Sequence, residues 1–340
     1  MSIVLYSHTS HLDVAFARLA QALGTCRWVR SDIGDAVKAR QYLNGREAAW
    51  QTVKTVQECL AGNLLVLWNG GFDYCAPIVE TARQRGMRVC YVEHGLFPGT
   101  WQMDPHGVNA KSSVFGHSAR EARGVPASPS IWTTAFPQRQ IHALDRKSEL
   151  SGDTGHLPDR YLFVPLQLEW DTQIRDHSPY LTMGALLTDV QAALPPGMAL
   201  VVKEHPTDTD SAACARRREE FPDVTWCRTR PTAELIAGAA AVVVINSSVG
   251  LQALCARKPV VTLGASVYGR VGVTYPTLAE TVGDLSATVR RALGEGVAPL
   301  TGAWLTYLRD CWSVPYTPAA QAARVREMLA GQAPWLEVLG

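Results

Sequence analysis

Tyr161-Leu162-Phe163-Val164-Pro165-Leu166-Gln167-Leu168-Glu169-Trp170-Asp171 is the stretch whose reading decides the fold. It opens as an unbroken apolar and aromatic run, the pattern of a strand buried on both faces of a parallel sheet, and then turns polar. Open α/β sheets place ligand-handling groups at such carboxyl ends. Two further runs repeat the pattern. Residues 199–202 empty into Lys203-Glu204-His205-Pro206, and residues 241–245 into Asn246-Ser247-Ser248-Val249-Gly250. Strands that discharge polar side chains at one end predict a shared crevice, with Asp171 as its chemical centre.

Working outward, the first half has the same alternation. Strands are predicted at 3–6, 64–68 and 88–92, with helices at 12–23, 47–60 and 76–85. Ser10 is placed to cap the first helix, and Ser7-His8-Thr9-Ser10 forms a loop that either meets a ligand or simply starts that helix. The second half continues with strands at 161–166, 199–203, 223–227, 241–246 and 259–263, separated by helices at 184–193, 209–219, 232–239 and 248–256. Polar residues 147–158 make the best linker. The reading is α/β: two Rossmann-like doubly wound domains facing a central crevice, an acceptor domain expected over 1–155 and a nucleotide-sugar donor domain over 156–300, with helices in 300–340 returning to the first.

Composition bounds the function. A chain of 340 residues, 47% hydrophobic and 19% charged, is long enough for two packed domains. A formal charge of +1 gives no footprint for nucleic acid. The cysteines show no C-x-x-C pair, which fits reduced thiols, and Cys90 and Cys255 fall in apolar contexts as core residues. The amino terminus lacks the basic and apolar regions of a signal peptide, and no apolar run nears the ~20 residues of a membrane span. A cytoplasmic protein is expected, or one peripheral on the cytoplasmic face of the inner membrane.

The polar clusters carry the chemistry. Asn246-Ser247-Ser248 joins a strand to a helix, where hydroxyls and free amides meet the positive helix end: an anion site, or an ordinary serine cap. Lys203 or His205 is placed to neutralise a phosphate, with Pro206 holding His205 extended, or His205 is a structural donor. On an extended chain residues 167, 169 and 171 share a side, so Gln167 is expected to orient Asp171. That carboxylate serves as a nucleophile, stabilises an oxocarbenium ion, or caps the helix starting at Thr172. Glu93 and His94, at the end of the 88–92 strand, suit acid-base work, or Glu93 caps a helix or pairs with an arginine. Asn69-Gly70-Gly71 reads as a tight turn, or as a site of close backbone approach, and 104–113 as a loop able to fold over a site. No G-x-G-x-x-G, Walker, H-E-x-x-H or D-x-D pattern stands out.

The ordered set Val164-Pro165-Leu166-Gln167-x-x-x-Asp171-x-Gln173-Ile174, Lys203-x-His205-Pro206, Asn246-Ser247-Ser248-Val249-Gly250-Leu251-Gln252-Ala253-Leu254 and Leu263-Gly264-x-x-x-Tyr268-x-x-x-Gly272-Val273-Thr274 resembles the capsule-polysaccharide-synthesis family of retaining β-Kdo glycosyltransferases. Glu93-His94-Gly95 and Gly107-Val108-Asn109-Ala110-x-Ser112 resemble the same family's amino-terminal signatures. The resemblance covers roughly 90–275 and implies a GT-B fold, a CMP-β-Kdo donor and a product of retained configuration. It implies that Lys203, His205, Pro206, Asn246, Ser247, Ser248, Gln167, Gly264 and Tyr268 hold the donor, that Asp171 is the nucleophile and that Glu93, with His94 and His205, serves acid-base chemistry. No cofactor and no metal are implied, since the leaving group is a nucleoside monophosphate. The partners implied are CMP-Kdo and a glycan or lipid-linked glycan acceptor, with peripheral contact to the membrane or to other polysaccharide-assembly enzymes. Trp170 departs from the family pattern, in which many members carry a small residue there.

Rival readings are a GT-B transferase using CMP-sialic acid or a UDP-sugar, a two-domain sugar-binding module, and a non-catalytic partner in polysaccharide export.

Overall fold

A computed structural model describes residues 2–34, 46–136, 156–208, 210–277 and 282–339. The chain divides into two units: Met1–His117 with Leu308–Gly340, and Ser118–Tyr307. Against the boundary expected at 155, residues from 118 onward belong with the second unit. They pack on its last helix, Thr301–Tyr307: Ser128 N donates to Thr306 Oγ1 at 3.0 Å. The expected linker lies mostly outside the described residues.

The first unit starts with β1 (Ile3–Ser7), β2 (Arg27–Arg30), β3 (Leu64–Trp68), β4 (Arg88–His94) and β5 (Thr100–Asp104). The second unit contributes β6 (Tyr161–Pro165), β7 (Ala199–Lys203), β8 (Thr225–Cys227), β9 (Ala241–Val244), β10 (Val260–Thr262) and β11 (Tyr275–Pro276). β12 (Val314–Pro315) then completes the first sheet, in the order β12-β5-β4-β3-β1-β2. The second sheet runs β11-β10-β9-β6-β7-β8 with every pairing parallel.

Burial explains both sheets. Every residue of β1, β3, β6 and β9 is buried, as strands covered on both faces must be. Val4, Leu65, Leu67 and Val89 pack with Ile78 of the helix Ala76–Gln84. Leu162, Val164, Val202, Val243 and Val261 pack with Leu186 and Val190 of the helix Met183–Ala192 and with Val289 of the helix Val282–Glu295. Each such side chain contributes about 1.5–3 kcal/mol by leaving water. Cys90 and Cys255 are buried thiols, and all eight cysteines are free.

The carboxyl-terminal segment is fastened to the first sheet by polar groups. Asp104, fully buried, accepts from Ser113 N at 2.9 Å, Ser113 Oγ at 2.6 Å and Trp312 Nε1 at 3.2 Å. Arg324 donates to the carbonyls of Met103, Trp312 and Cys311 at 3.2–3.3 Å and lies 3.9 Å over the Trp335 ring. Residues 104–113 are therefore pinned by a buried carboxylate and do not form a free flap. The expected cap at Ser10 is also absent: the helix Asp13–Leu23 continues from a tight turn, Ser10–Leu12, and no side chain caps either element.

Candidate functional site

Pairing aligns the carboxyl ends of β7, β6, β9 and β10, which are neighbours in the second sheet. Pro165 pairs with Lys203, and Leu166 N donates to Lys203 O at 2.8 Å. Leu263 N and Gly264 N donate to Val244 O and Ile245 O. The polar residues that follow these strands are gathered along one edge.

The edge is tied together by amides. Gln167 Nε2 donates to Asn246 Oδ1 at 2.9 Å, Asn246 N donates back to Gln167 Oε1 at 3.3 Å, and Asn246 Nδ2 donates to Gln173 O at 2.8 Å. The expected Gln167–Asp171 pairing does not form. The strand ends at Pro165, and Asp171 N bonds Leu168 O in a turn, which destroys the period of two. Glu169 instead accepts from Met183 N at 2.7 Å, while Trp170 stands 69% exposed. Asp171 caps the helix Thr172–His177 through Oδ1, which accepts from Gln173 N at 2.8 Å. Oδ2 carries no hydrogen bond to a described residue, so the cap leaves one carboxylate oxygen available.

At the end of β7 the three charged neighbours separate by environment. Glu204 is fully buried and accepts from Arg218 Nε and Nη2 and from Arg228 Nη1, all at 3.1 Å. Lys203 is buried and donates to the carbonyl of Arg230. His205 is half-buried; Thr207 N donates to its Nδ1 at 3.3 Å, so the proton of the neutral ring sits on Nε2. Glu204 therefore anchors the segment that presents His205 and Pro206.

At the end of β9, Ser247 caps the helix Ser248–Cys255, its Oγ accepting from Val249 N at 3.2 Å, while Ser248 is exposed. Tyr268, buried, donates its hydroxyl to Ser247 O, and burial raises its phenol far above the usual range. Gly264 must be a glycine: a Cβ there would stand 2.6 Å from Ile245 Cγ2 and 2.8 Å from His177 O. Tyr268 and Gly264 thus position the serine loop.

In the first unit, Glu93 Oε2 accepts from Asn69 Nδ2 at 2.6 Å and Oε1 from His94 N at 2.8 Å. The His94 ring meets Trp68 edge-on at 4.8 Å. Asn69 takes φ 55° and accepts from Gly71 N at 2.9 Å, so the turn read at Asn69-Gly70-Gly71 also presents an amide to Glu93. Gln102 joins the two amino-terminal signatures: it donates to His94 O and Asn109 Oδ1, both at 2.9 Å, and accepts from Asn109 N at 2.8 Å. Neither Asn69 nor Gln102 is marked as functional by the sequence patterns. The position of Asn69 after a buried strand was a usable signal; Gln102, within a strand of mixed character, gave none. Among the described residues no group of three or more His, Cys, Asp or Glu is placed to hold a metal, and no helix is long and apolar enough to cross a membrane.

Two units built on doubly wound, parallel-rich sheets with polar strand ends define the GT-B class of glycosyltransferase folds. Two solved structures share it: Thermosulfurimonas dismutans KpsC, beta Kdo 2,7 transferase (TM-score 0.57, 18% identity, 96% of this chain and 99% of that one), and KpsC, beta Kdo 2,4 transferase from the same organism (TM-score 0.54, 14% identity, 99% and 98%). Residues 132–287 match the family described as capsule polysaccharide biosynthesis protein. Curated relatives include Protein FixF of Sinorhizobium fredii, 33% identical over 65% of this chain and 56% of that protein, and Capsule polysaccharide export protein KpsS of Escherichia coli, 30% identical over 42% and 40%. The chain thus spans about half the length of the curated relatives it matches.

Proposed function

We propose that this chain is a retaining β-Kdo glycosyltransferase that moves Kdo from CMP-β-Kdo to a glycan or lipid-linked glycan during assembly of a bacterial surface polysaccharide, at the cytoplasmic face of the inner membrane. The observation that carries the reading is the edge of the second sheet, where the Gln167–Asn246–Gln173 amide network fastens the Asp171 loop to the serine loop beside Lys203 and His205. The motif resemblance and the fold shared with the KpsC transferases support it.

In this reading Asp171 attacks the anomeric carbon of Kdo through Oδ2 as the bond to CMP breaks, and CMP departs with the bonding electron pair. Lys203, His205 and the amides at Ser247-Ser248 offset the charge on the phosphate. Glu93 takes the proton of the acceptor hydroxyl, which displaces Asp171 from the same carbon; two displacements retain the configuration. A nucleoside monophosphate leaving group needs no metal bridging two phosphates.

The test uses CMP-Kdo generated in situ with a panel of synthetic acceptors, followed by mass and anomeric analysis of products. Asp171→Asn is the informative variant, because asparagine caps a helix about as well as aspartate while lacking its nucleophilicity. Thermal stability near that of the parent with transfer abolished is expected. Near-normal turnover in the folded variant would sink the nucleophile assignment, and product formed from a UDP-sugar or CMP-sialic acid in place of CMP-Kdo would overturn the donor.

A further inference from the structure

At the carboxyl ends of β1 and β3 the first unit holds a small pocket lined by His8, Thr9, Gly34, Trp68, Phe72 and Tyr74, with His11 at its rim. Its floor is built with care for hydrogen bonding. His8, buried, places Nε2 3.1 Å from Trp68 O and Nδ1 3.0 Å from Tyr74 Oη. A carbonyl only accepts, so Nε2 bears a proton, and in the neutral ring the Tyr74 hydroxyl donates to Nδ1. Trp68, Phe72 and Tyr74 supply the walls, with His8 meeting Phe72 and Tyr74 edge-on at 5.5 and 5.3 Å.

Thr9 breaks this pattern of satisfied groups. It sits at the start of the turn Ser10–Leu12, where a threonine usually accepts from a backbone N–H, yet its side chain makes no cap bond. The residue is only 2% exposed, and its Oγ1 is buried with no hydrogen-bond partner among the described residues. Its methyl is the group turned to Gly34, where a Cβ would stand 2.4 Å from Thr9 Cγ2. A buried hydroxyl without a partner is destabilising, and such groups are rare in native structures.

We infer that this pocket binds a neutral sugar ring of the acceptor, with Thr9 Oγ1 bonding a ring hydroxyl and the aromatic walls receiving its C–H face. Among the described residues the lining is aromatic and uncharged apart from its two histidines, and apolar walls with few polar groups suit an uncharged polyol. The pocket also borders the acid-base group. Trp68 forms its wall and meets the His94 ring at 4.8 Å, and Asn69, the next residue, donates to Glu93. A sugar held here lies one aromatic ring away from His94, the neighbour in sequence of the carboxylate proposed to deprotonate an acceptor hydroxyl. The inference rests on the glycosyl-transfer reading for calling the ligand an acceptor; the pocket's chemistry stands without it.

The full chain is titrated with methyl β-D-galactopyranoside, methyl N-acetyl-β-D-glucosaminide and methyl α-D-mannopyranoside by saturation-transfer NMR, in the absence of donor. At least one glycoside should saturate through its ring C–H protons. Thr9→Val, nearly isosteric and free of the orphan hydroxyl, should weaken that binding about 3- to 10-fold, the worth of one neutral hydrogen bond, with the melting temperature unchanged or raised. Thr9→Ser, which restores the hydroxyl, should recover the affinity. Equal affinity in the parent and in Thr9→Val, or no saturable glycoside, overturns the inference. Heat protection by CMP is measured in parallel: its absence from the parent refutes the donor reading and leaves the glycoside result standing.

Discussion

Glu204→Gln isolates the ionic anchor beneath the His205-Pro206 segment. Glu204 is fully buried and is the anion shared by Arg228, whose side chain is 4% exposed, and Arg218, at 19%. Glutamine keeps the shape but offers one acceptor oxygen where three guanidinium N–H groups converge, and its amide donor faces another donor. Deleting one member of a buried ion pair costs about 3–5 kcal/mol. Partial exposure of Arg218 screens its share, which puts the expected loss near the lower limit, about 3 kcal/mol. For a domain of this size that is a fall of roughly 6–12 °C in melting temperature. Calorimetry on the full chain reads it as a lower first transition or as a lower common one. Replacing the charges together, Glu204→Met with Arg228→Met, should recover much of the loss, because apolar groups of similar volume need no counter-charge. A shift below about 1 °C in Glu204→Gln would refute the claim that this carboxylate holds the segment.

Two other perturbations test the loops and the returning segment. Gly264→Ala forces a Cβ against His177 O and the Ile245 side chain, and should cost about 1–3 kcal/mol, read as a lower urea midpoint with the slope unchanged; an equal midpoint would mean that the loop gives way freely. Arg324→Met leaves the carbonyls of Met103, Trp312 and Cys311 without their donor, at about 1 kcal/mol each. Limited proteolysis should then cut within 308–339 sooner than in the parent, and unchanged resistance would count against the anchoring role.

The segments that read most clearly were those whose order is local. The helix predicted at 184–193 is found as Met183–Ala192, and that at 248–256 as Ser248–Cys255, because apolar spacing and a side-chain cap are both written within a few residues. β2 and β12 escaped the reading. Arg27-Trp28-Val29-Arg30 is half-exposed and charged at both ends, and Val314–Pro315 is too short to carry a period. Each is a strand because a buried neighbour offers its edge: β1 to the first, β5 to the second. β5 escaped as well, since Gln102 and Asp104 look like loop residues until their partners arrive from elsewhere in the chain.

The residues of the 161–171 stretch fared according to the same distinction. By itself the sequence determined that a buried parallel strand ends there, that Asp171 follows it in position to cap a helix, and that two further strands end in basic and hydroxyl-bearing residues. Those properties come from hydrophobic runs and short-range hydrogen bonding, which act over a few residues. Only the tertiary structure decided which amide Gln167 meets: Asn246, in place of the nearer Asp171, because the turn after Pro165 removes the extended geometry and sheet order sets β9 beside β6. It alone also buried Glu204 between two arginines and left the hydroxyl of Thr9 without a partner, since burial and long-range pairing exist only once the sheets are assembled.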